Sequence, residues 1–322
     1  MMKLRKLDLR DIVGFIAFFA IFIFFSITSQ GRMFTPLNLM TLLDQSMLCI
    51  IVGCGCIFVV AQGSIDLSVG VNLALSGVVS MYIVQATGQP WLLFPLAMLI
   101  GLGVGLFNGV VVSTFKVPSF MVTIALLIAI RGIVNYIQSV IDMQPLPASL
   151  AFLNTNSVKI PAFIIIVAIM IYIFEFTKIG KYCKAIGENE ATARESGVPV
   201  VRIKMIAFAL SGLMAGVASL FTMISLGGTN TTMGVFFEID VAIAIYLGGV
   251  LVTGGTSAKI YKVFLGAITV KIIRNGLALI GLASPQIYEI VEGVLLLGIL
   301  MVTIFVHMRH RKVSGSIDED DN

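Results

Sequence analysis

The sequence has 322 residues, of which 58% are hydrophobic and 12% are charged, with a net charge of +4 and a mean hydropathy of +1.04. Soluble domains average about 45–50% apolar and about 25% charged residues, so this composition excludes a soluble globular protein. Nucleic-acid binding is not indicated either, because the basic residues cluster at the ends of apolar runs. The length of these runs and their lack of strict alternation favour membrane helices over a β-barrel.

Ten segments are apolar enough to cross a bilayer, which takes about 20 residues. We therefore predict an all-α, polytopic membrane helix bundle. The predicted transmembrane segments are 11–30, 43–62, 67–87, 91–113, 118–140, 160–177, 205–226, 238–253, 263–281 and 287–307. An interfacial turn is expected at 35–42. This transmembrane domain, 11–307, would lie between a cytoplasmic N-terminus, 1–10, and a disordered acidic cytoplasmic tail, 308–322.

The distribution of Lys and Arg sets the predicted orientation. With ten segments and both termini in the cytoplasm, the cytoplasmic segments hold 16 of the 21 Lys and Arg residues. This bias follows the positive-inside rule, and one helix more or fewer would reverse half of the chain and remove it. Both termini are therefore predicted to be cytoplasmic.

The cytoplasmic loop 178–204 is the longest polar interruption, with six Lys or Arg residues and three Glu. Asn189 is a favourable N-cap, and Glu190 would follow it at the positive end of the helix dipole. Gly197 suits the position after a helix C-terminus, and Pro199 prevents continuation. These residues predict a helix of about two turns. Such a helix suggests a docking element for a partner, and the alternative is a solvated connection between two membrane helices.

Several polar residues interrupt the apolar segments or the turns at their ends. Burying such groups in lipid is costly, so they should face the bundle interior or a water-filled path. The alternative is that each joins two helices by hydrogen bonds. The candidates for a translocation pathway or gate are Asp66, Asn72, Asn108, Arg131, Asn135, Asp240 and Asn275, with Lys271 and Arg274 on the same helix face as Asn275.

Glycines recur at four-residue spacing in the fourth segment, at Gly101, Gly105 and Gly109. This small-xxx-small pattern is typical of membrane helices that pack closely, and it does not indicate a substrate.

The sequence lacks the motifs of common enzymes. It contains no G-x-x-x-x-G-K-[ST] phosphate loop, no H-E-x-x-H and no G-x-S-x-G. The Cys54-Gly55-Cys56 pair lies in an apolar run without His or acidic neighbours, so we interpret it as packing residues rather than as a metal site. We predict no enzyme activity, no catalytic residue and no bound metal.

Several short motifs occur in the order found in one known family. They are Gly63–Gly70, Val117-Pro118-Ser119-Phe120, Gly187-x-Asn189-Glu190-Ala191, Glu238-x-Asp240, Leu247-Gly248-Gly249 and Asn275-Gly276-Leu277. Over roughly 12–306 the chain resembles the ribose-type permease subunits of ATP-binding-cassette sugar importers.

The resemblance implies a ten-helix importer fold in the bacterial inner membrane. It implies a second permease subunit, a periplasmic or lipoprotein solute-binding protein, and a cytoplasmic ATP-binding subunit that carries ATP and Mg. The chain itself would bind no cofactor and no nucleic acid, and its other partner would be membrane lipid. The family's ATPase-coupling residues would correspond to Gly187, Glu188, Asn189, Glu190, Ala193, Arg194 and Gly197. Of these, Glu190 and Arg194 share a helix face at i and i+4.

The sequence departs from the family pattern after Gly249. The usual [TA]-S-L-x-G-G-x-G is replaced by Val250-Leu-Val-Thr-Gly-Gly-Thr-Ser257. We expect a looser turn there, and a second permease subunit that is identical or paralogous.

Three hypotheses for function follow from the sequence. The first is a permease subunit that imports a small sugar or related polyol by alternating access. The second is an ion-coupled secondary transporter or channel that uses Asp240 and Lys271. The third is a membrane scaffold without transport activity.

Overall fold

A computed structural model describes residues 9–284, 286–298 and 301 of the chain. This part is helical and contains no β-strand. The helices are α1 (Leu9–Thr28), α2 (Pro36–Ala61), α3 (Val69–Thr87), α4 (Leu93–Thr114), α5 (Ser119–Val140), α6 (Asn156–Ile171), α7 (Lys178–Glu188), α8 (Glu190–Glu195), α9 (Val200–Leu226), α10 (Phe237–Leu247), α11 (Ile260–Leu279) and α12 (286–298). The predicted tail, 308–322, and most of the predicted N-terminal segment lie outside the described residues.

Within this part, six helices are long and apolar enough to cross a membrane. They are α2, α3, α4 with the turn before it, α5, α6 with the wide turn Tyr172–Phe176 after it, and α9. Large apolar side chains such as Phe19, Ile128 and Ile164 are exposed on the bundle surface, as lipid contact requires. The predicted all-α membrane bundle is confirmed, while the number of ten spans stays a prediction.

The second membrane helix begins earlier than predicted. Helix α2 starts at Pro36, and proline favours the first turn of a helix because its fixed φ suits that position. Its 26 residues correspond to about 39 Å. The interfacial turn expected at 35–42 is therefore wrong, because those residues form the first turns of α2.

The eighth predicted segment, 238–253, ends too late. Helix α10 stops at Leu247, and its 11 residues are about 16 Å long, which is less than the ~30 Å of a hydrocarbon core. A Cβ atom on Gly248 would lie 1.9 Å from the carbonyl oxygen of Lys262, and Gly249 has a φ of +93°. Two glycines thus let the chain turn away from α10 while its backbone touches α11.

The core is built around α2, which is buried from Ser46 to Ala61 and packs against α9, α10 and α11. Beside it, α4 and α9 cross at their glycines. A Cβ atom on Gly105 would lie 2.3 Å from the carbonyl oxygen of Phe208, and one on Gly212 would lie 2.3 Å from that of Gly101. The spacing of the α4 glycines therefore marks a backbone contact, as small-xxx-small patterns do in membranes.

Candidate functional site

The polar loop 178–204, predicted to be cytoplasmic, folds into two short helices, α7 and α8. The Asn189 side chain accepts a hydrogen bond from the backbone N–H of Thr192 at 3.0 Å, and Gly197 has a φ of +83° after α8 ends. The predicted capped helix is thus confirmed. The sequence interpretation missed α7. Its buried residues, Gly180, Cys183 and Ile186, recur every three positions, and this spacing in a polar segment was the available signal.

Glu190 and Arg194 lie on the surface of α8. The Glu190 carboxylate contacts Arg194 Nη2 at 2.9 Å and Lys204 Nζ at 2.6 Å, so it also joins α8 to the start of α9. The hydrogen bond from Lys204 lowers the pKa of the Glu190 carboxyl group below its usual value. The side chains of Glu190 and Arg194 are 42% and 57% exposed, so both remain available to a partner.

Two other predicted coupling residues contact the turn before α11. Glu188 Oε1 accepts hydrogen bonds from the Thr256 backbone N–H at 2.7 Å and from its hydroxyl at 2.6 Å. A Cβ atom on Gly187 would lie 2.0 Å from the carbonyl oxygen of Ala61 and 2.5 Å from the Gly255 nitrogen. The end of α7 therefore packs against the end of α2 and against this turn. Ala193 of α8 is buried as well.

The turn that departs from the family pattern, 250–257, is held by hydrogen bonds of Thr256 and Ser257. The Ser257 hydroxyl accepts a hydrogen bond from the Leu251 backbone N–H at 3.0 Å and donates one to the Gly254 carbonyl oxygen at 2.7 Å. With the bonds from Thr256 to Glu188, these contacts fix both ends of the turn. Thr256 and Ser257 therefore supply hydrogen bonds that close the turn, and the expectation that it is looser than in the family stays a prediction.

A cavity of about 530 Å³ lies beside α8, between residues 63–65, residues 112–120 and the charged groups of Glu190, Arg194 and Lys204. Its walls combine the turns before α3 and before α5 with the surface helix. The surface helix α8 and the starts of α3 and α5 therefore face one cavity.

Asp66 and Asn108 form a buried hydrogen-bond network next to this cavity. One carboxylate oxygen of Asp66 accepts from the Ser68 hydroxyl at 2.7 Å, and the other accepts from the Ser211 hydroxyl at 2.8 Å. The Asn108 amide donates to the Ser68 hydroxyl at 2.8 Å. Burial raises the pKa of the Asp66 carboxyl group, and the hydrogen bonds oppose that shift. Within this chain the network joins α4 and α9 to the turn before α3.

Asn72 also joins helices. Its amide donates to the carbonyl oxygen of Gly101 at 3.1 Å and reaches that of Gly212 at 3.5 Å, at the crossing of α3, α4 and α9. By contrast, Asn135 is exposed on α5. Asn72 therefore joins helices by hydrogen bonds, as the alternative interpretation predicted. Asn135 lies where a pathway or a partner could reach it.

Arg131 connects α5 to the segment that precedes α10. Its Nη1 and Nη2 groups donate to the backbone carbonyl oxygens of Met233 and Gly234 at 3.1 and 2.7 Å. Gln138, two turns further along α5, donates to the carbonyl oxygen of Asn230 at 2.9 Å. Ser119, the first residue of α5, lines the cavity beside α8, so Arg131 lies about halfway along the helix and Gln138 lies towards the opposite end of the bundle, which we call the outer end.

Asp240 lies in a network of four charges near the outer end. Lys271 Nζ is 2.6 Å from Asp240 Oδ2, and Arg274 Nη2 is 2.6 Å from Oδ1, although it is not aligned to donate a hydrogen bond there. Arg274 also binds Glu292 of α12 through Nε and through Nη2, the latter at 2.9 Å. Sequence spacing identified three of these residues and missed Glu292, because no local pattern relates α12 to α11.

Asn275 completes this region. Its amide and that of Asn38 exchange two hydrogen bonds of 2.8 and 3.0 Å, which tie α11 to α2. Beside the pair lies a cavity of about 520 Å³, the outer cavity, lined among others by Thr41, Gln45, Phe237, Asp240, Arg274 and Tyr288. The structure therefore brings together Asp240 and Asn275, which are 35 residues apart in sequence, while Asp66, Asn72 and Asn108 cluster elsewhere.

The chain is similar to known permeases along most of its length. Residues 38–300 match the family described as branched-chain amino acid transport system / permease component. The ribose import permease protein RbsC of Haemophilus influenzae is 32% identical over 74% of this chain and 77% of its own length. The L-arabinose ABC transporter permease protein AraH of Azospirillum brasilense is 35% identical, over 69% and 67%.

A third relative is similar over a larger share of the chain. The xylose transport system permease protein XylH of Escherichia coli is 28% identical over 78% of this chain and 81% of its own length. No solved structure matches the chain. The family match, over 38–300, includes both cavities, the loop with α7 and α8, and the charge network on α10 and α11. The chain thus belongs to the branched-chain amino acid transport system / permease component family and is a multi-pass ABC importer permease of the ribose type.

Proposed function

We propose that this chain is the transmembrane subunit of an ATP-driven importer for a small sugar or related polyol. The observation that carries the proposal is its similarity to three permeases named for ribose, L-arabinose and xylose, each over about 70% or more of the chain. The folded cytoplasmic platform of α7 and α8 supports it, since an importer without its own phosphate loop needs a surface on which an ATPase acts.

The proposed assembly has three kinds of partner besides membrane lipid. A cytoplasmic ATP-binding subunit holds ATP and Mg and docks on α8. A second permease, identical or paralogous, completes the pathway, and a periplasmic or lipoprotein solute-binding protein delivers the solute. The Lys and Arg bias supports a location in the bacterial inner membrane with both termini in the cytoplasm.

In the proposed mechanism, ATP binding and hydrolysis move the ATPase subunits, and α8 transmits that motion to the membrane helices. Gly187 packs directly against the backbone at the end of α2. Glu188 carries motion into the turn before α11 through its two hydrogen bonds with Thr256. The bundle then opens alternately to either side of the membrane, as a shift between two populated states.

Reconstitution in liposomes with the candidate ATPase and solute-binding protein tests this function. We expect uptake of at least one of ribose, L-arabinose and xylose that depends on ATP. Uptake without any ATPase that stops with a protonophore would instead support the ion-coupled secondary transporter. Absence of solute flux with every partner present would leave the scaffold hypothesis.

The double substitution Glu190→Ala and Arg194→Ala should uncouple transport. It removes two of the three charged side chains of α8, leaving Glu195, and it keeps the buried face at Ala193 intact. We expect ATP-dependent uptake to fall at least tenfold, measured beside the ATPase activity of the same complex. The unfolding midpoint of the permease should hardly change, because exposed ion pairs contribute about 0–1 kcal/mol.

Arg32→Ala is the matched control, since Arg32 is exposed at the outer end of the bundle. It removes the same type of side chain from the opposite face, and uptake should persist. Full uptake by the double variant, or equal losses in both variants, would contradict docking through α8.

The nature of the second permease is tested by purification. If it is paralogous, this chain expressed with the ATPase alone will form no active complex. A stable homodimer with ATPase activity would show that the second subunit is identical.

A further inference from the structure

The outer cavity has the size and chemistry of a site for a small polar molecule. Its volume of about 520 Å³ falls within the roughly 300–1,000 Å³ typical of ligand pockets. It lies among α2, α10, α11 and α12 and shares no lining residue with the cavity beside α8. A polar cavity at this depth is costly in a membrane protein unless it has a use.

The charges at the base of the cavity are already paired with one another. Lys271 binds Asp240, and Arg274 bridges Asp240 and Glu292, so two positive groups balance two negative ones. The side chains of Asp240, Lys271 and Glu292 are 2%, 7% and 5% exposed, and that of Arg274 is 30% exposed while it contacts both carboxylates. A charged or zwitterionic ligand would have to break these pairs and leave a buried charge uncompensated, which is strongly unfavourable.

The accessible wall offers neutral hydrogen-bonding groups and aromatic surface instead. Thr41 and Gln45 are exposed on α2, and Tyr288 of α12 places a phenol on the opposite side. Phe237 adds a second ring. Hydroxyl, amide and phenol groups both donate and accept hydrogen bonds, which suits a molecule that carries several hydroxyl groups.

We infer that the outer cavity is a binding site for a neutral polyhydroxylated solute, with Gln45, Thr41 and Tyr288 as its polar contacts. The inference rests on the proposed sugar-import function and extends it to a place and a ligand class. It also separates two solute classes within the matched family, since a branched-chain amino acid is a zwitterion and gains no free charge partner in this cavity.

Cysteine labelling tests the site directly. All four native cysteines, Cys49, Cys54, Cys56 and Cys183, are buried, so an introduced cysteine at an exposed position becomes the reactive reporter. We propose Thr41→Cys in the reconstituted importer, labelled with a water-soluble maleimide in rising concentrations of D-ribose, L-arabinose, D-xylose or L-leucine. Ser139→Cys is the control, because Ser139 is exposed near the outer end of α5 and away from the cavity.

At least one sugar should slow labelling of Thr41→Cys by the factor 1 + [L]/Kd, about elevenfold at ten times Kd. Labelling of Ser139→Cys should not change, and L-leucine should protect neither position. Adding Tyr288→Phe should raise the sugar concentration for half-protection about fivefold, as expected for one lost hydrogen bond.

Three results would overturn the inference. They are absence of labelling at Thr41→Cys, equal protection at both cysteines, and protection by leucine that matches or exceeds protection by sugar. The labelling needs no ATP hydrolysis, so its failure is distinguishable from failure of the importer function, which would appear as no ATP-dependent sugar uptake by the complex with unsubstituted permease.

Discussion

Gly105→Val is expected to prevent α4 and α9 from packing. Its new Cβ atom would lie 2.3 Å from the carbonyl oxygen of Phe208 and 2.9 Å from the Cα atom of Gly212. Both are backbone atoms of α9 and cannot rotate away, so the helices must separate. Overpacking of a core typically costs about 1–3 kcal/mol, and a backbone clash on a principal helix contact should reach about 3 kcal/mol. Denaturant unfolding of the purified protein in mild detergent measures the loss.

Gly103→Val is the matched control, with the same substitution two residues away on the same helix. A Cβ atom on Gly103 would meet no other atom within 4 Å. We expect the free energy of unfolding to change by no more than about 0.5 kcal/mol. Similar losses in both variants would show that helix propensity, rather than the contact with α9, determines the effect.

Asp240→Asn is expected to destabilise the protein by about 3–5 kcal/mol, because it leaves the buried Lys271 ammonium group without its partner at 2.6 Å. Arg274 retains Glu292 and loses its second ion pair. The measurement is again the free energy of unfolding in detergent, at a pH near 7, where an ordinary lysine is charged.

Two further variants test whether the unpaired Lys271 causes this loss of stability. Asp240→Asn combined with Lys271→Gln removes both charges of the pair, so much of the lost stability should return. Glu190→Gln removes the charge of a half-exposed carboxylate that pairs with Arg194 and Lys204, and it should cost about 1 kcal/mol. If the double variant is no more stable than Asp240→Asn alone, an unpaired Lys271 is not the reason for the loss.

Local features of the fold could be predicted from the sequence, because neighbouring residues determine them. Apolar runs located the long membrane helices, and Asn189 and Gly197 marked the ends of α8, since caps act within a few residues. The end of α10 was missed because Gly248 and Gly249 stop the helix through contact with Lys262 of another helix. The mean hydropathy of the segment contains no information about a contact with another helix.

For the polar residues, too, the local requirement could be predicted from the sequence, but the contacts with distant residues could not. That Asp240, Lys271 and Asn72 needed buried partners followed from their apolar surroundings. The partners themselves did not follow, since Asn72 binds backbone oxygens of α4 and α9, and Glu188 binds Thr256, 68 positions along the chain. The roles predicted for the coupling and pathway residues in transport stay predictions.

The contacts of Arg131 have a consequence for how this region can change in evolution. The guanidinium group binds the main-chain oxygens of Met233 and Gly234, and main-chain oxygens are present whatever side chains those positions carry. This contact therefore does not constrain which side chain occupies position 233. It does constrain the number of residues between α9 and α10. An insertion there would move both oxygens out of reach of Arg131, so the loop should hold its length among close homologues.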